Sequence, residues 1–462
     1  MMYISTRGGG EPLSFQDTVL TGLARDGGLF LPERIPDVRD RLGAWRRLTF
    51  QDLAYEVIRL YADDIPDADL RRIIGASTLA FRHPDVTPVI TVGPVHVLEL
   101  FHGPTLAFKD VALQFLGNLF EYVLRRSGRE LNIVAATSGD TGSAAIHGVK
   151  GREHMRIFVM HPRGRVSPAQ ERQMTTVLDA NVFNLAVDGT FDDCQRIVKD
   201  LFNDLAWRDA HHLGAVNSIN WARVLAQITY YFYAAFRVMD KTGSSRVRFA
   251  IPTGNFGDIF AGYVATRMGL PADRLVLATN ENGILARFFA TGVYEAGGVV
   301  PTLSPSMDIQ VASNFERYLY YRAAGDPEQV RRWMAQFQNE GRITVGLAAG
   351  ATSIDPLIRA GQGDTAATLQ TIRRFWKDFG YLLDPHTAVG VHVGLQHLDE
   401  ASPMICLATA HPAKFGAAIE QATGQDLAHH PILDALDGLP TRVETVAADT
   451  RAVAAVVERA IA

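Results

Sequence analysis

The sequence predicts an α/β protein built mostly on parallel sheets. From about residue 95 onward, short apolar runs alternate with stretches whose apolar residues recur at helical spacing. That alternation is typical of parallel strands connected by helices. Three of the runs pass through a short turn directly into a helix, as strand–loop–helix corners do in such folds. The length of 462 residues is roughly three times a typical domain, so two or three domains are expected.

Seven apolar runs are predicted strands because they are short and rich in branched or aromatic residues. They are VHVLELF (95–101), LNIVAA (131–136), RIFVM (156–160), VFNLAV (182–187), RVRFAI (246–251), RLVLAT (274–279) and MICLATA (404–410). The clearest helix follows Asp110, because its apolar residues fall on one face. These are Ala112, Phe115, Leu116, Leu119, Phe120 and Val123.

The pattern divides the chain into three predicted domains. Residues 1–90 show helical patterns and turns and should form a smaller, mainly helical N-terminal domain. Residues 91–240 and 241–462 are predicted to be two α/β lobes, the second with a helical insertion near 305–380.

Composition excludes several classes of protein. A net charge of −5, without a long block of Lys and Arg, argues against a nucleic-acid binder. The two cysteines, Cys194 and Cys406, form no CxxC pair, which favours a reducing, cytoplasmic location without disulfides. No stretch approaches 18 apolar residues and the first residues contain no apolar leader, so neither a membrane partner nor targeting is expected.

The first corner is TSGDTGSAAIHG (137–148), directly after a predicted strand. Its small and hydroxyl residues are Ser138, Gly139, Thr141 and Gly142. Glycines let backbone N–H groups approach an anion, and the positive end of the following helix dipole attracts it. The alternative is an ordinary capped helix start, with Asp140 or Thr141 as the N-cap.

The second corner is PTGNFGDIFAGY (252–263). Gly254 and Gly257 flank Asn255 and Phe256, and a helix is predicted to begin near Asp258. Free N–H groups at a helix N-terminus suit a phosphate. The chain contains no GxxxxGK[ST] motif and no GxGxxG after a strand, so a nucleotide-dependent enzyme has little support.

A lysine lies between an apolar triplet and a helix start in FHGPTLAFKD (101–110). Burial beside Phe108 and the helix dipole should both lower the pKa of Lys109. An amine of that kind forms imines with carbonyl compounds. A solvated lysine near a helix start is the alternative reading.

A fourth segment, ICLATAHPAKFGAA (405–418), passes from a strand into a helix. Thr409, Ala410 and His411 lie at the carboxyl end of the strand, where α/β proteins bind ligands. Thr409 could equally be an ordinary strand end.

Several segments together resemble the threonine synthases, a family of pyridoxal-phosphate enzymes of fold type II, related to the tryptophan synthase β subunit. The resemblance runs almost end to end. It includes YISTRGG (3–9), GLARDGGLFLPERIP (22–36), HGPTLAFKD (102–110), TSGDTGSAAI (137–146), NSINWARVLAQITYYF (217–232), PTGNFGDI (252–259), DPHTAVG (384–390) and ATAHPAKF (408–415).

The resemblance implies two parallel-sheet domains, pyridoxal 5′-phosphate as cofactor, and the conversion of O-phosphohomoserine and water to threonine and phosphate by a monomer or homodimer. It implies that Lys109 carries the cofactor and that Thr409 faces its pyridine nitrogen. The residues implied to hold the cofactor phosphate are Gly254, Asn255, Phe256, Gly257 and Asp258. Those implied to hold the substrate carboxylate are Ser138, Gly139, Asp140 and Thr141.

The substrate phosphate needs cations or donors of its own. Candidates are Lys414, Arg223, and Ser167 with Arg163 or Arg165, although each has an alternative reading as a surface charge or cap. His386, His411 and the pairs His211–His212 and His429–His430 show no metal spacing and are interpreted as structural or exposed.

Three rival functions share some of these sequence features. The nearest is a phospholyase of the same fold, which would release a 2-oxo acid, ammonia and phosphate. A serine or threonine dehydratase fits less well, because the STRGG region and HGPTLAFKD follow the synthase pattern. A non-catalytic binding protein would not need Lys109, both glycine corners and Thr409 together.

Overall fold

The computed structural model describes residues 1–347 and 353–461. At the N-terminus, two short strands, β1 (Tyr3–Ser5) and β2 (Phe30–Pro32), pair antiparallel. They are accompanied by helices α1 (Phe15–Thr21), α2 (Leu42–Trp45), α3 (Phe50–Ile58) and α4 (Asp67–Thr78). The predicted mainly helical character of this region is confirmed.

Strands and helices then alternate from residue 89 to residue 242. The strands are β3 (Val89–Val92), β4 (Val95–Glu99), β5 (Leu131–Ala136), β6 (Met155–Pro162), β7 (Val182–Asp188) and β8 (Leu213–Gly214). The helices are α5 (Lys109–Ser127), α6 (Asp140–Val149), α7 (Pro168–Thr175), α8 (Phe191–Asn203), α9 (Leu205–Ala210) and α10 (Trp221–Thr242).

The remainder of the chain continues the alternation around a largely helical stretch. Its strands are β9 (Val247–Pro252), β10 (Ala272–Thr279), β11 (Val293–Glu295), β12 (Arg342–Thr344), β13 (Ile358–Gln362), β14 (Met404–Ala408) and β15 (Glu444–Ala447). Its α-helices are α11 (Gly257–Met268), α12 (Ile284–Thr291), α13 (Phe315–Arg322), α14 (Pro327–Glu340), α15 (Thr365–Phe379), α16 (Pro385–Leu395), α17 (Gly416–Thr423), α18 (Pro431–Asp434) and α19 (Thr450–Ile461). Short 3₁₀ turns lie at Pro305–Met307 and Pro412–Lys414.

The strands form two main sheets, as the α/β prediction requires. One has the order β13-β10-β9-β14-β4-β3 and is parallel except for β3, which pairs antiparallel with β4. The other has the order β15-β7-β6-β5-β8 and is parallel throughout. All seven predicted strands are present, with ends shifted by a few residues.

The two main sheets combine strands from both sides of the predicted domain border near 240. Strand β4 precedes the lysine segment but pairs with β14, whereas β15 near the C-terminus pairs with β7. The division of the chain into 1–90, 91–240 and 241–462 therefore stays a prediction, and each sheet draws strands from both predicted lobes.

Helix α10 forms the centre of the core. Almost all of its residues are buried, and it packs against α3, α5 and α11. A helix that is apolar on nearly every side must be enclosed. Its tyrosines consequently reach the start of α11, where the second corner lies. No helix in the described ranges is both long and apolar enough to cross a membrane.

Candidate active site

The lysine segment and the end of strand β14 lie side by side. Phe108 donates its backbone N–H to the Thr409 carbonyl at 2.8 Å, and His411 donates to the Leu106 carbonyl at 3.0 Å. Strand β4, which leads into the lysine segment, also pairs with β14. The carboxyl ends of these parallel strands therefore bring Lys109 and Thr409 to one edge of the sheet.

Asp110 fixes the turn that precedes Lys109. Its carboxylate accepts the Thr105 backbone N–H at 2.8 Å and the Thr105 hydroxyl at 2.7 Å. A Cβ at Gly103 would approach the Asp110 side chain to 2.4 Å, so the turn closes only over a glycine. Burial raises the pKa of Asp110 to about 6.

Lys109 is the first residue of α5, and its side chain is buried. Its Nζ lies 3.4 Å from the Ser306 hydroxyl and 3.6 Å from Asp140 Oδ2. Burial lowers the pKa of this lysine, and the charges of Lys414 and Arg223 add to that effect, while Asp140 opposes it. The predicted lowering of the pKa is confirmed, and it favours an amine that is free to react.

Asp140 lies between two lysines. Its Oδ1 is 2.6 Å from Lys414 Nζ and accepts a hydrogen bond from Gln170 at 2.8 Å. Burial alone would raise the pKa of Asp140, but Lys414 and Lys109 hold it below its ordinary value. The Asp140 side chain is thus an anion engaged by lysines, and only its backbone N–H is available to a second anion.

The backbone turn of the first corner is fixed by Thr137. Its Oγ1 accepts the N–H groups of Gly139 at 2.9 Å and Gly142 at 2.8 Å. Gly139 has φ +138°, and a Cβ there would lie 2.4 Å from Gln170, so this position requires glycine. Gly139 is the N-cap of α6, which makes both N-cap candidates considered from sequence wrong. Within the described residues, no hydrogen bond occupies the backbone N–H of Ser138, Asp140 or Thr141.

The second corner is shaped by Phe256 rather than by its glycines. Phe256 has φ +64° and is enclosed by Phe289, Phe315 and Tyr318. Gly254 and Gly257 have no positive φ, so the backbone conformation itself does not require a glycine at either position. Four backbone N–H groups here donate to no described residue: those of Gly254, Asn255, Gly257 and Asp258.

The two glycines of this corner differ in the space around them. A Cβ at Gly254 would lie 2.6 Å from the Ser306 carbonyl oxygen, which is backbone and cannot easily move. At Gly257 the nearest atom is Asn314 Nδ2 at 3.3 Å. Gly254 is therefore the stricter requirement, and it also ties this corner to the residue that contacts Lys109.

The side chain of Asp258 connects the second corner to helix α10. Tyr230 and Tyr231 donate hydroxyl hydrogen bonds to its Oδ1 at 2.5 Å and 2.8 Å. Its Oδ2 is buried without a partner among the described residues, and burial raises its pKa to about 6. The side chain of Asp258 thus binds helix α10, while its backbone N–H is one of the four in the second corner that donate to no described residue.

The remaining substrate-phosphate candidates separate into buried and exposed groups. Arg223 is buried, donates to the Val216 carbonyl at 3.0 Å, and leaves its Nε without a partner in the described part. Burial lowers the pKa of Arg223 to about 10. Ser167 caps α7 and contacts the Lys414 carbonyl at 3.4 Å. Arg163 and Arg165 are exposed, and Arg163 pairs with Asp188 instead.

Sequence reasoning missed Ser306, which contacts Lys109, and the two residues linked to it, His386 and Asp384. Ser306 lies in a 3₁₀ turn and donates its backbone N–H to His386 Nε2 at 3.2 Å. His386 is bonded through Nδ1 to Asp384 at 2.9 Å. The segment DPHTAVG offered a signal for two of these residues, but Ser306 belongs to no recognisable motif. In the described ranges no cluster of His, Cys, Asp and Glu could hold a metal ion.

Three family descriptions match the chain. "Threonine synthase N terminus" matches residues 2–78, "Pyridoxal-phosphate dependent enzyme" matches 82–366, and "Threonine synthase, C-terminal" matches 387–457.

Full-length relatives agree with these matches. The chain is 48% identical to the threonine synthase of Schizosaccharomyces pombe, over 91% of this chain and 89% of that protein. It is 42% identical to the threonine synthase of Corynebacterium glutamicum, over 100% of this chain and 99% of that protein.

Solved structures share the same fold. Pyridoxal-phosphate-bound threonine synthase from Brucella melitensis superposes with a TM-score of 0.93 at 44% identity, covering 100% of this chain and 99% of that one. Threonine synthase from Escherichia coli gives a TM-score of 0.84 at 31% identity, covering 99% of this chain and 100% of that one.

Proposed function

The chain belongs to the threonine synthase family of pyridoxal-phosphate-dependent enzymes, and on that premise we propose that it converts O-phospho-L-homoserine and water to L-threonine and phosphate. The observation that carries the proposal is Lys109, a buried lysine with a lowered pKa between two corners rich in free N–H groups. We further propose that the protein is a monomer or homodimer and that it is cytoplasmic. The cytoplasmic location is consistent with two cysteines that are both free and buried.

The residues of the site fit pyridoxal 5′-phosphate. Lys109 would carry it, and the four free N–H groups from Gly254 to Asp258 would hold its phosphate, because backbone donors at a helix N-terminus suit that group. Thr409 would present its hydroxyl to the ring nitrogen. When bound, the cofactor supplies an electron sink for negative charge developing on the carbon atoms of the substrate.

Lys109 also acts as the base of the proposed reaction. Burial lowers the pKa of its amine, which favours the uncharged form that can accept a proton from the substrate. The reaction must remove protons at Cα and Cβ before phosphate leaves Cγ, and one mobile lysine reaches adjacent carbons. Ser306 and Asp140, at 3.4 Å and 3.6 Å, limit where that amine can lie.

The substrate's two anionic groups need separate binding sites. The first corner, with the free N–H groups of Ser138, Asp140 and Thr141, suits the carboxylate. Lys414 is the foremost candidate for the substrate phosphate. Its ammonium has three protons, and the described contacts with Asp140 and the Thr105 carbonyl use two of them. Arg223, whose Nε has no partner among the described residues, is the second candidate, and Ser167 is the third.

A neutral residue facing the ring nitrogen favours the synthase outcome. A carboxylate at position 409 would stabilise a protonated ring and draw electrons more strongly towards it. The hydroxyl of Thr409 would exert no such pull on a bound ring, so side reactions that release a 2-oxo acid would be suppressed.

A phospholyase is the second candidate function. The chain is also 39% identical to "Threonine synthase-like 2" of Xenopus laevis, over 91% of this chain and 90% of that protein. This relative shares the family without carrying the plain synthase name, and a phospholyase would use the same cofactor and substrate class.

Product analysis separates the two candidates. Purified protein with pyridoxal 5′-phosphate is incubated with O-phosphohomoserine, and threonine, 2-oxo acid, ammonia and phosphate are quantified. We expect threonine and phosphate in equal amounts, and neither from Lys109→Ala. Ammonia and a 2-oxo acid in place of threonine would establish the phospholyase and overturn the proposal.

A further inference from the structure

We propose that Asp384 is a positioning residue that fixes Lys109 and Thr409 through two separate hydrogen-bond chains. Both chains begin at its carboxylate, one at each oxygen. They end at the residue proposed to carry the cofactor and at the residue proposed to face its ring nitrogen. The inference rests on the proposed roles of Lys109 and Thr409.

The first chain runs from Asp384 to Lys109. Asp384 Oδ1 bonds His386 Nδ1 at 2.9 Å, and His386 Nε2 accepts the Ser306 backbone N–H at 3.2 Å. Since Nε2 is an acceptor, the ring proton resides on Nδ1 and points at the carboxylate. Ser306 in turn receives Lys109 Nζ on its hydroxyl at 3.4 Å. The histidine thus holds the 3₁₀ turn that sets the position of the lysine's partner.

The second chain runs from Asp384 to Thr409. The Thr387 hydroxyl donates to Asp384 Oδ2 and accepts the Thr409 backbone N–H at 3.2 Å. Thr409 is held on its other side, where its carbonyl accepts the Phe108 N–H at 2.8 Å. Because the Thr387 hydroxyl donates to the carboxylate, its lone pairs remain for the amide of Thr409.

The chains are shielded from water where they leave Asp384, whereas Ser306 is partly exposed. Asp384, His386 and Thr387 are 1%, 3% and 1% exposed, and Thr409 is 4% exposed. Hydrogen bonds in such surroundings are costly to leave unmade, so each chain keeps a defined geometry. His386 also packs on Phe415, with ring centroids 5.0 Å apart, which restricts rotation of the imidazole.

A second aspartate in the chain shows what Asp384 does beyond capping a helix. Asp326 and Asp384 each precede a proline at the start of a helix, α14 and α16, and each accepts two backbone N–H groups of its own helix. Asp326 lies at the surface and receives no hydrogen bond from the active-site segments. Asp384 receives a ring N–H and a hydroxyl in addition. Asp326→Ala is therefore the matched control for loss of a cap.

Two readouts report the two chains without measuring turnover. The pH midpoint for covalent attachment of saturating pyridoxal 5′-phosphate to the apo protein, trapped by borohydride, reports the state of Lys109. The absorbance of bound pyridoxine 5′-phosphate, which has no aldehyde, reports protonation of its ring beside Thr409.

Five variants, one of them the control Asp326→Ala, test the inference. His386→Phe should lower the attachment midpoint by about half a pH unit or more, because the 3₁₀ turn is released and the Ser306 hydroxyl is no longer held as an acceptor for the charged lysine. It should leave the ring absorbance unchanged. Thr387→Val should change the ring absorbance without moving the midpoint, and Thr387→Ser should restore it. Asp384→Ala should change both readouts, and Asp326→Ala neither.

The outcomes separate this inference from the function beneath it. If Asp384→Ala changes neither readout, or if Asp326→Ala changes both as strongly, the positioning role is overturned. If Asp384→Ala does not fold, the His386 and Thr387 variants carry the test. Identical effects of His386→Phe and Thr387→Val on both readouts would overturn the claim that the two hydrogen-bond chains are separate. A wild-type protein that binds neither compound would overturn the proposed function and this inference with it.

Discussion

Two corners of this molecule look alike in sequence and treat a carboxylate in opposite ways. Both run from a strand through a glycine-rich turn into a helix, and each has an aspartate at the helix start. Asp140 in the first corner is held ionised by Lys414 and Lys109, whereas Asp258 in the second is buried beneath tyrosine hydroxyls with its pKa raised to about 6.

The difference shows that partners brought in by the fold decide what a motif can bind. The lysines give the first corner positive charge close to its free N–H groups, which suits a substrate anion. Among the described residues, no lysine forms an ion pair with the aspartate of the second corner. Instead, Phe256 is left-handed and four neighbouring backbone N–H groups donate to no described residue, which suits a phosphate.

The largest expected effect is on folding stability when Asp140 is removed. Asp140→Ala leaves Lys109 and Lys414 buried without their common counter-ion, which should lower the free energy of unfolding by about 3–5 kcal/mol. Asp258→Ala removes only an acceptor for tyrosine hydroxyls and should cost about 1–3 kcal/mol. Urea denaturation of the apo proteins measures both. Equal losses would remove the electrostatic distinction between the corners.

The next effect concerns the glycines of the second corner. Gly254→Ala drives a Cβ against the Ser306 carbonyl, and a strain of about 1–3 kcal/mol should weaken cofactor affinity by roughly 5- to 150-fold. Gly257→Ala meets only a side-chain amide and should have a smaller effect, whereas the bulkier Gly257→Val should weaken binding more than it lowers apo stability. Equilibrium titration with pyridoxal 5′-phosphate tests the order, and unchanged affinity in both Gly254→Ala and Gly257→Val would assign the corner to another ligand.

A smaller effect is the pH dependence of stability that Asp258 contributes. Its folded pKa of about 6 lies above the unfolded value of 3.8, so the folded state binds the proton more tightly. Stability from this group is therefore present at low pH and declines as pH rises from about 4 to about 6, by at most about 1.4 kcal/mol per pH unit. Asp140, with a lowered pKa, changes stability in the opposite direction.

Measuring unfolding free energy against pH in wild type and Asp258→Asn isolates this contribution. The difference between the two proteins should change between pH 4 and pH 6 and stay level above that range. A difference that is flat throughout would mean that Asp258 keeps an ordinary pKa.

The smallest effect is a change in products when a third carboxylate is introduced. Thr409→Asp should keep the cofactor bound while lowering the ratio of threonine to 2-oxo acid by about twofold or more, because a carboxylate favours a protonated ring nitrogen. The ratio released from O-phosphohomoserine is compared with wild type. A constant ratio with a reduced rate would give Thr409 a positioning role only, and no change in either would remove it from the ring.

Local patterns in the sequence were sufficient to predict the strands that lead to Lys109 and Thr409, whereas the roles of the two residues came from the resemblance to the family. Each lies at the end of an apolar run, and that position alone brings it to the carboxyl edge of a parallel sheet. Strands β13 and β15 escaped prediction because their residues are polar or exposed, and β8 because it has two residues.

Contacts between distant segments could not be predicted in the same way. Asp140 meets Lys414, and Ser306 meets Lys109, only because the two sheets and the turn at 305–307 bring them together. The left-handed conformation of Phe256 was equally hidden, since phenylalanine seldom adopts it and here an aromatic cluster enforces it. The sequence motif indicated the corner but not which residue shapes it.

The attachment site of the cofactor tests the account most directly. Holoenzyme is reduced with borohydride, digested and mapped by mass spectrometry. We predict the pyridoxyl group on Lys109, whose amine has its pKa lowered by burial. Lys414 is the instructive alternative, because it is also buried and shares Asp140 with Lys109. Modification of Lys414, or of any lysine other than Lys109, would contradict the account.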